Sequence, residues 1–305
     1  MAEWLCSGLQ SRLRRFDSGF SLQNKETLLN LKMKISIITT FFNAEKHILD
    51  CLLSVQKIPD HINYEHILVN DGSDDGSVEI ASKNLSSHQM IIGQDRIGRG
   101  NALNHGIQNA IGDFICILDS DDLINHKWIE YFATCLPTEY LNEYELAVFY
   151  SNSFVSNNDL IKQNSDVPKQ NILDSDLSYL NSKLLLFYNP IPHLGAMIKK
   201  SALTKVQNYS TNRDSQFDWD LWLRFSAQNM KFLKVNIFSG IKRVHENQYY
   251  EHGNHLLYAL KGIKLQLHHS FVHSKLLLIP VAIFSIIRFF WALFPKKVRT
   301  SHKFS

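Results

Sequence analysis

The stretch Phe114–Trp128, FICILDSDDLINHKW, sets an apolar run, Phe114–Leu118, directly before three carboxylates in four positions, Asp119, Asp121 and Asp122. An apolar run of this length bounded by turn residues reads as a buried strand. Like charges so close repel, and the turn needs a counter-charge. Hard divalent cations such as Mg2+ or Mn2+ supply one, taking one or two carboxylates while phosphates provide further oxygens. Asp119 and Asp121, two apart at a strand end, both reach the mouth of a sheet if the chain turns there, whereas Asp122 suits the cap of the following helix. Alone, the tetrapeptide fits ordinary turn and cap chemistry equally well.

Upstream the pattern is regular. ISIITTFF (Ile35–Phe42) reads as a buried strand, and Ala44, Ile48, Leu52 and Val55 mark one helix face. There follow the strand EHILVN, the turn-rich DGSDDGS, a helix through Ile80, the short strand MIIG, the helix RGNALNHGIQNAI and the strand FICIL. Strand and helix in alternation predict an α/β fold with a mainly parallel central sheet flanked by helices. Ligands gather at the carboxyl ends of such strands, so NDGSDDGS and DSDD are expected to face one crevice. Residues 156–171, SNNDLIKQNSDVPKQN, read as a hairpin and loop. NPIPHLGAMIKKS, QFDWDLWLRFSAQ and IKRVHENQYY are then expected to build the other wall.

Of the 305 residues, 45% are hydrophobic and 20% charged, and 32 Lys and Arg against 29 Asp and Glu give a net charge of only +3. That balance argues against nucleic acid as a partner. The cysteines Cys6, Cys51, Cys116 and Cys135 show no CxxC spacing and no secretory signal is evident, which predicts a cytoplasmic protein. Residues 1–33 form an N-terminal extension in which Leu5, Leu9, Leu13 and Phe16 share a helical face beside Arg12, Arg14 and Arg15, fitting a membrane-surface helix or a short docking helix. A catalytic domain is expected over 34–250 and a helical, membrane-leaning segment over 251–305. There LLLIPVAIFSIIRFFWALFPKKVR is interrupted by Pro280 and Arg288 and flanked by Lys296, Lys297 and Arg299. An Arg near the middle of a spanning helix is costly, so in-plane attachment at the cytoplasmic face is favoured over crossing, with a helix buried against the preceding domain or a partner as the other reading. The histidines near 252–255 and 268–273 read as solvated helix faces.

ISIITTFFNAEKHILDCLLSV, YEHILVNDGSDDGS, GRGNALNHGIQNAIGDFICILDSDD and FDWDLWLRF occur in the order found in glycosyltransferase family 2, which the sequence resembles over roughly residues 34–245. The resemblance implies the GT-A nucleotide-diphospho-sugar transferase fold and an inverting hexosyl transfer from a nucleoside-diphosphate-sugar, a UDP-sugar by family habit. The acceptor implied is a hydroxyl of a glycan or lipid-linked intermediate in cell-surface polysaccharide or glycolipid assembly. By the same resemblance Thr39 and Phe41 pack against the nucleotide and Asp71 hydrogen-bonds the base. Asp119 and Asp121 form the DXD motif, Asp121 being the direct ligand of Mn2+ or Mg2+. Asn104 and His193 lie beside the nucleotide-sugar, His245 near the metal, and Asp218 is the general base. Arg96 and Arg99 could attract donor phosphates, Trp219 or Trp222 line the acceptor groove, and Asp220 is structural. Phe217 stands where the family commonly has Glu, which keeps open an inactive, membrane-attached scaffold that retains the nucleotide pocket. A nucleotidyltransferase would need a Gly-rich basic loop after the first strand, where this chain has TTFFNAEKH.

Overall fold

Ile35, Ile37 and Ile38 are all fully buried, so the strand β1 (Ile35–Phe41) hides both faces, as a strand inside a helix-covered parallel sheet must. The computed structural model describes residues 33–136, 138–143, 145–157, 177–244, 255–273 and 275–293. The expected N-terminal helix lies outside them. From β1 the chain runs through α1 (Ile48–Val55), β2 (Tyr64–Asn70), α2 (Ser77–Lys83), β3 (Gln89–Ile92), α3 (Arg99–Asn109) and β4 (Phe114–Ile117). Ala44, Ile48, Leu52 and Val55 are all buried, as the helical periodicity requires.

The order continues with β5 (Leu123–Ile124), α4 (His126–Thr134), α5 (Thr138–Asn142), β6 (Leu146–Tyr150), β7 (Phe154–Asn157), β8 (Leu177–Tyr179), β9 (Met197–Lys199) and α6 (Lys200–Lys205). It ends with α7 (Phe217–Ala227), β10 (Lys231–Val235), β11 (Gly240–Val244), α8 (His255–His273) and α9 (Leu278–Leu293). The large sheet has the order β3-β2-β1-β4-β9-β6-β10-β8, and a small one has β5-β11-β7. β1 to β4 pair in parallel, and β9 enters antiparallel to both β4 and β6. The result is the expected mostly parallel α/β sheet flanked by helices. β6 and β7 belong to different sheets, and most of the expected hairpin and loop lies outside the described residues.

The Asp119–Asp122 turn is held from behind by the small sheet. Asp122 does not cap α4: Asn125 does, accepting from the Lys127 amide, while Asp122 Oδ1 accepts from the Arg243 amide of β11 at 2.9 Å. Trp128 on α4 donates from Nε1 to Gly195 O at 2.7 Å, tying that helix to the loop before β9.

α7 packs under the second half of the sheet. Trp219 donates to Leu185 O and is 3% exposed, and Trp222 is fully buried, so both expected acceptor-groove residues are core. Asp220 is buried as well, accepting from Ser210 Oγ at 2.6 Å and Arg224 Nε at 2.9 Å, with Arg213 and His269 also facing it. His269 is therefore an internal partner, not a solvated residue. Burial alone would raise the Asp220 pKa, but the hydrogen bonds of His269 and Ser210 and the charges of Arg224 and Arg213 outweigh it and hold the carboxyl well below its usual range.

Two predictions follow from this packing. A Cβ at Gly112 would sit 2.6 Å from the Ser36 amide nitrogen and 2.8 Å from Lys34 O, backbone atoms of the central strand and its approach. Gly112→Ala should lower the urea midpoint by the equivalent of about 1–3 kcal/mol with unchanged denaturant slope. Asp220→Asn should cost about 3 kcal/mol at neutral pH by breaking a buried charge network. Because the folded carboxyl titrates below the unfolded one, its contribution is full above about pH 4 and fades as pH falls further, so the deficit should shrink in acid in a urea series.

Candidate active site

β4 ends at the carboxyl edge of the sheet, and the Asp122 amide donates to Asp119 O at 3.0 Å to close a tight turn. That turn brings carboxylate oxygens of Asp119, Asp121 and Asp122 within 4.8 Å of one another. Two guanidiniums hold the turn. Arg243, 3% exposed, donates from Nε to Asp121 O and from NH2 to Asp50 Oδ2, both at 2.8 Å. Arg99, at the start of α3, donates from NH2 to Asp119 Oδ1 at 2.5 Å. Burial would raise the Asp119 pKa, but Arg99, His193 and Lys242 outweigh it and lower it. For Asp122, burial and the neighbouring Asp121 and Asp119 push it well up. All three side chains offer hard oxygen donors, which fits Mg2+ or Mn2+.

Across from this turn stands Asp218, in the first turn of α7. From Ser215 to Leu223 every residue is buried except Asp218, which is partly exposed. Its Oδ2 accepts from Asn189 Nδ2 at 2.8 Å. Gln216, in left-handed conformation with φ 56°, precedes the helix, so Asp218 is not its cap. His193 connects the two acidic regions: its Nε2 lies 2.8 Å from the Tyr209 hydroxyl, and both Asp119 and Asp218 act on its charge. Burial dominates and lowers its pKa, which favours the neutral ring.

Asn104 sets the position of Tyr209, donating to its carbonyl at 2.8 Å and accepting from its amide at 2.9 Å. Asn104 thus acts on the site through Tyr209 and His193. Gly100 allows the same approach, since a Cβ there would meet Ser210 O at 2.7 Å and the Phe217 ring at 3.0 Å. Phe217 is a core residue in this contact.

Asp71 is buried, accepting on Oδ1 from the amides of Ile97 and Gly98, both at 2.8 Å, and on Oδ2 from Arg96 at 2.9 Å. It holds the loop that leads into α3. Thr39 is fully buried with Oγ1 2.9 Å from His66 Nε2, and Phe41 packs in the core with Ile48 and Leu52. The exposed ring at this strand end is Phe42, with the Arg96 guanidinium 3.4 Å over its face. Asp74 and Asp75 bond Asn43 and the Glu45 amide, so the second acidic cluster zips two loops together and does not join the first. His245 lies outside the described residues.

Sequence reasoning missed Arg243, Tyr209, Asn189 and Phe42. Arg243 carried a signal: it shares strand parity with Ile241, both buried, while Lys242 between them is exposed. A basic residue on the inward face of a strand implies a polar partner for its guanidinium, here Asp50 and the Asp121 carbonyl.

Part of the sequence and the fold are similar to those of known glycosyltransferases. Residues 36–148 match the model of Glycosyl transferase family 2. Glycosyltransferase GlyG of Streptococcus pneumoniae is 33% identical over 99 residues, covering 32% of this chain and 33% of that one. EpsE of Bacillus subtilis is 26% identical over 226 residues, 72% of this chain and 75% of the relative. This chain spans a third or less of several curated relatives, 14% in the case of Glycosyltransferase GlyA of Streptococcus pneumoniae. In fold it is similar to S. aureus TarS 1–349 in complex with UDP-GlcNAc, with a TM-score of 0.62 at 17% identity over 90% of this chain and 76% of that one. It is also similar to the Pyrobaculum calidifontis mannosyltransferase PcManGT in complex with GDP-Man and Mn2+, with a TM-score of 0.56 at 13% identity over 100% of this chain and 88% of that one. The matched segment, residues 36–148, is therefore similar to glycosyltransferase family 2, and the fold is similar to that of these solved glycosyltransferases.

Proposed function

We propose that this protein transfers one sugar, with inversion, from a nucleoside-diphosphate-sugar, preferably a UDP-sugar, to a hydroxyl of a glycan or lipid-linked acceptor. The setting is cell-surface polysaccharide or glycolipid assembly at the cytoplasmic side of a membrane. The observation that carries this proposal is Asp218: a partly exposed carboxylate in an otherwise buried helix turn, facing the acidic turn across His193. The UDP-GlcNAc complex of TarS and the GDP-Man and Mn2+ complex of PcManGT support the donor class.

In this mechanism Asp218 takes the proton of the acceptor hydroxyl as general base. Asn189 fixes its Oδ2, leaving Oδ1 to receive that proton. Asp119 and Asp121 would hold a divalent cation with His245 as a further ligand, and such an ion stabilises negative charge on a leaving diphosphate. Arg99 adds positive charge at the same place. Asp71 sets the loop against which the base lies, with Thr39 and Phe41 supporting it from within the sheet. His193 and Asn104 position the donor's sugar side. The scaffold alternative gains no support from Phe217, which is absorbed into the core while Asp218 keeps an ordered partner.

Asp218→Asn should leave donor affinity within about twofold by calorimetry while lowering kcat about 10²–10⁴-fold. Equal turnover in wild type and variant, or no transfer or donor hydrolysis by wild type with any of a panel of nucleotide-sugars, would overturn the proposal. Asp121→Asn should weaken Mn2+ binding, read as free Mn2+ by electron paramagnetic resonance, and a chelator should weaken donor binding to wild type. Unchanged Mn2+ affinity would remove Asp121 from the metal site.

A further inference from the structure

The C-terminal helices leave an apolar face that the catalytic domain does not cover. Ile279, Ile283, Ile286, Ile287 and Phe290 on α9 are 73%, 55%, 57%, 62% and 57% exposed, and Leu276 just before it is 95% exposed. At 100° per residue these positions fall on one stripe. The opposite side is committed to protein. Val281 is fully buried, Ser285 faces Gln266 of α8, and Phe284 packs edge-on against Phe187. The charge that breaks the apolar run also points inward, with the Arg288 guanidinium 5.0 Å from the Trp219 ring on α7. The outward stripe therefore carries no charge.

The sequence on either side of it carries one sign only. After Glu251 the sequence has eight Lys or Arg and no Asp or Glu. Lys275 stands at the start of the stripe, its ammonium 5.8 Å from the Phe271 ring, and Lys296, Lys297 and Arg299 follow α9 in sequence. An apolar stripe among cations is complementary to a bilayer of anionic lipids: acyl chains for the stripe, headgroups for its borders.

We propose that α9 docks this protein in the plane of an anionic membrane surface through the Leu276–Phe290 stripe, with Arg288 fastening the docked helix to the helix that bears Asp218. α9 lies on the bilayer and does not cross it. No helix among the described residues is long and apolar enough to span, and the inner face of α9 is already occupied by α7 and α8. The inference is independent of the donor site, and its test uses no sugar.

The full chain is mixed with vesicles of phosphatidylcholine alone or of phosphatidylcholine with phosphatidylglycerol, and the two are separated by flotation. Wild type should float with the anionic vesicles, less so as salt is raised, and remain mostly unbound with the neutral ones. Ile283→Glu/Ile287→Glu changes only exposed positions, so its urea midpoint should stay near that of wild type. Losing two buried isoleucines should weaken partitioning by about 100-fold or more. Absence of wild-type flotation, or equal flotation of the variant, would overturn the proposal. So would a wild-type dimer, without vesicle binding, that becomes monomeric in the variant, since the stripe would then be an interface between copies of this chain.

Discussion

Three carboxylates crowded at the end of β4 are made tolerable in two ways: Arg99 pairs Asp119, and burial beside the other two acids pushes the Asp122 carboxyl up toward its neutral form, while Arg243 bonds the main chain of the turn and Asp122 through its amide. At about 4 Å and an effective dielectric near 20, a like-charge pair opposes folding by about 4 kcal/mol, so a neutral Asp122 removes a cost close to the lower end of a small domain's stability. Arg243 and Arg99 act on the turn differently. Arg243 is buried, and its main chain and guanidinium both bond the turn, so it belongs to the architecture. Arg99 approaches from the open side with its side chain 43% exposed, and it pairs a single oxygen. A cation that entered the crevice would compete with Arg99 and leave Arg243 in place. The small sheet exists, in physical terms, to deliver Arg243 and to fix the turn.

The first half of the fold was legible in the sequence because parallel strands and their helices are local and periodic. Each strand from Ile35 to Leu118 and each helix between them emerged from apolar spacing. The same locality places Asp119 and Asp121 at a strand end that the periodicity fixes, whereas Asp218 stands out through its resemblance to a family motif and not through spacing. Roles set by distant partners were not readable. Asp122 has the composition of a cap but bonds a strand that is 121 residues away in sequence. Trp219 and Trp222 have the chemistry of sugar platforms, yet the phase of α7 turns both into the core. Asn104 resembles a ligand contact, and its clasp on the Tyr209 backbone, a pairing 105 residues apart, carried no local signal.

The second wall of the crevice shows how indirect contacts make a site rigid. Asn104 fixes Tyr209, Tyr209 meets His193, and His193 lies in the field of both Asp119 and Asp218. The Asn104–Tyr209 bonds have defined donors and acceptors, the Tyr209–His193 contact is 2.8 Å, and the last step to Asp119 and Asp218 acts through charge, so the two acidic regions are linked without bonding each other. Preorganisation of this kind matters because charge placed before reaction needs no rearrangement during it.

Asp218 and Asp220 make the same point on one helix. They are identical in chemistry and two residues apart, and an α-helix turns residues so spaced about 200° away from each other. One carboxylate therefore faces the crevice and the other faces the protein. Asp220 meets Arg224 one turn later, Arg213 from the preceding loop and His269 from α8, and is locked in its charged form. That lock fixes the start of α7 against the C-terminal hairpin, and Arg288 on Trp219 adds a second fastening between the two acids. The inward acid is what keeps the outward one still. The proposed general base can hold its aim only if the helix beneath it does not rock, and the charge network and the partly exposed Asp218 carboxylate are two faces of a single turn.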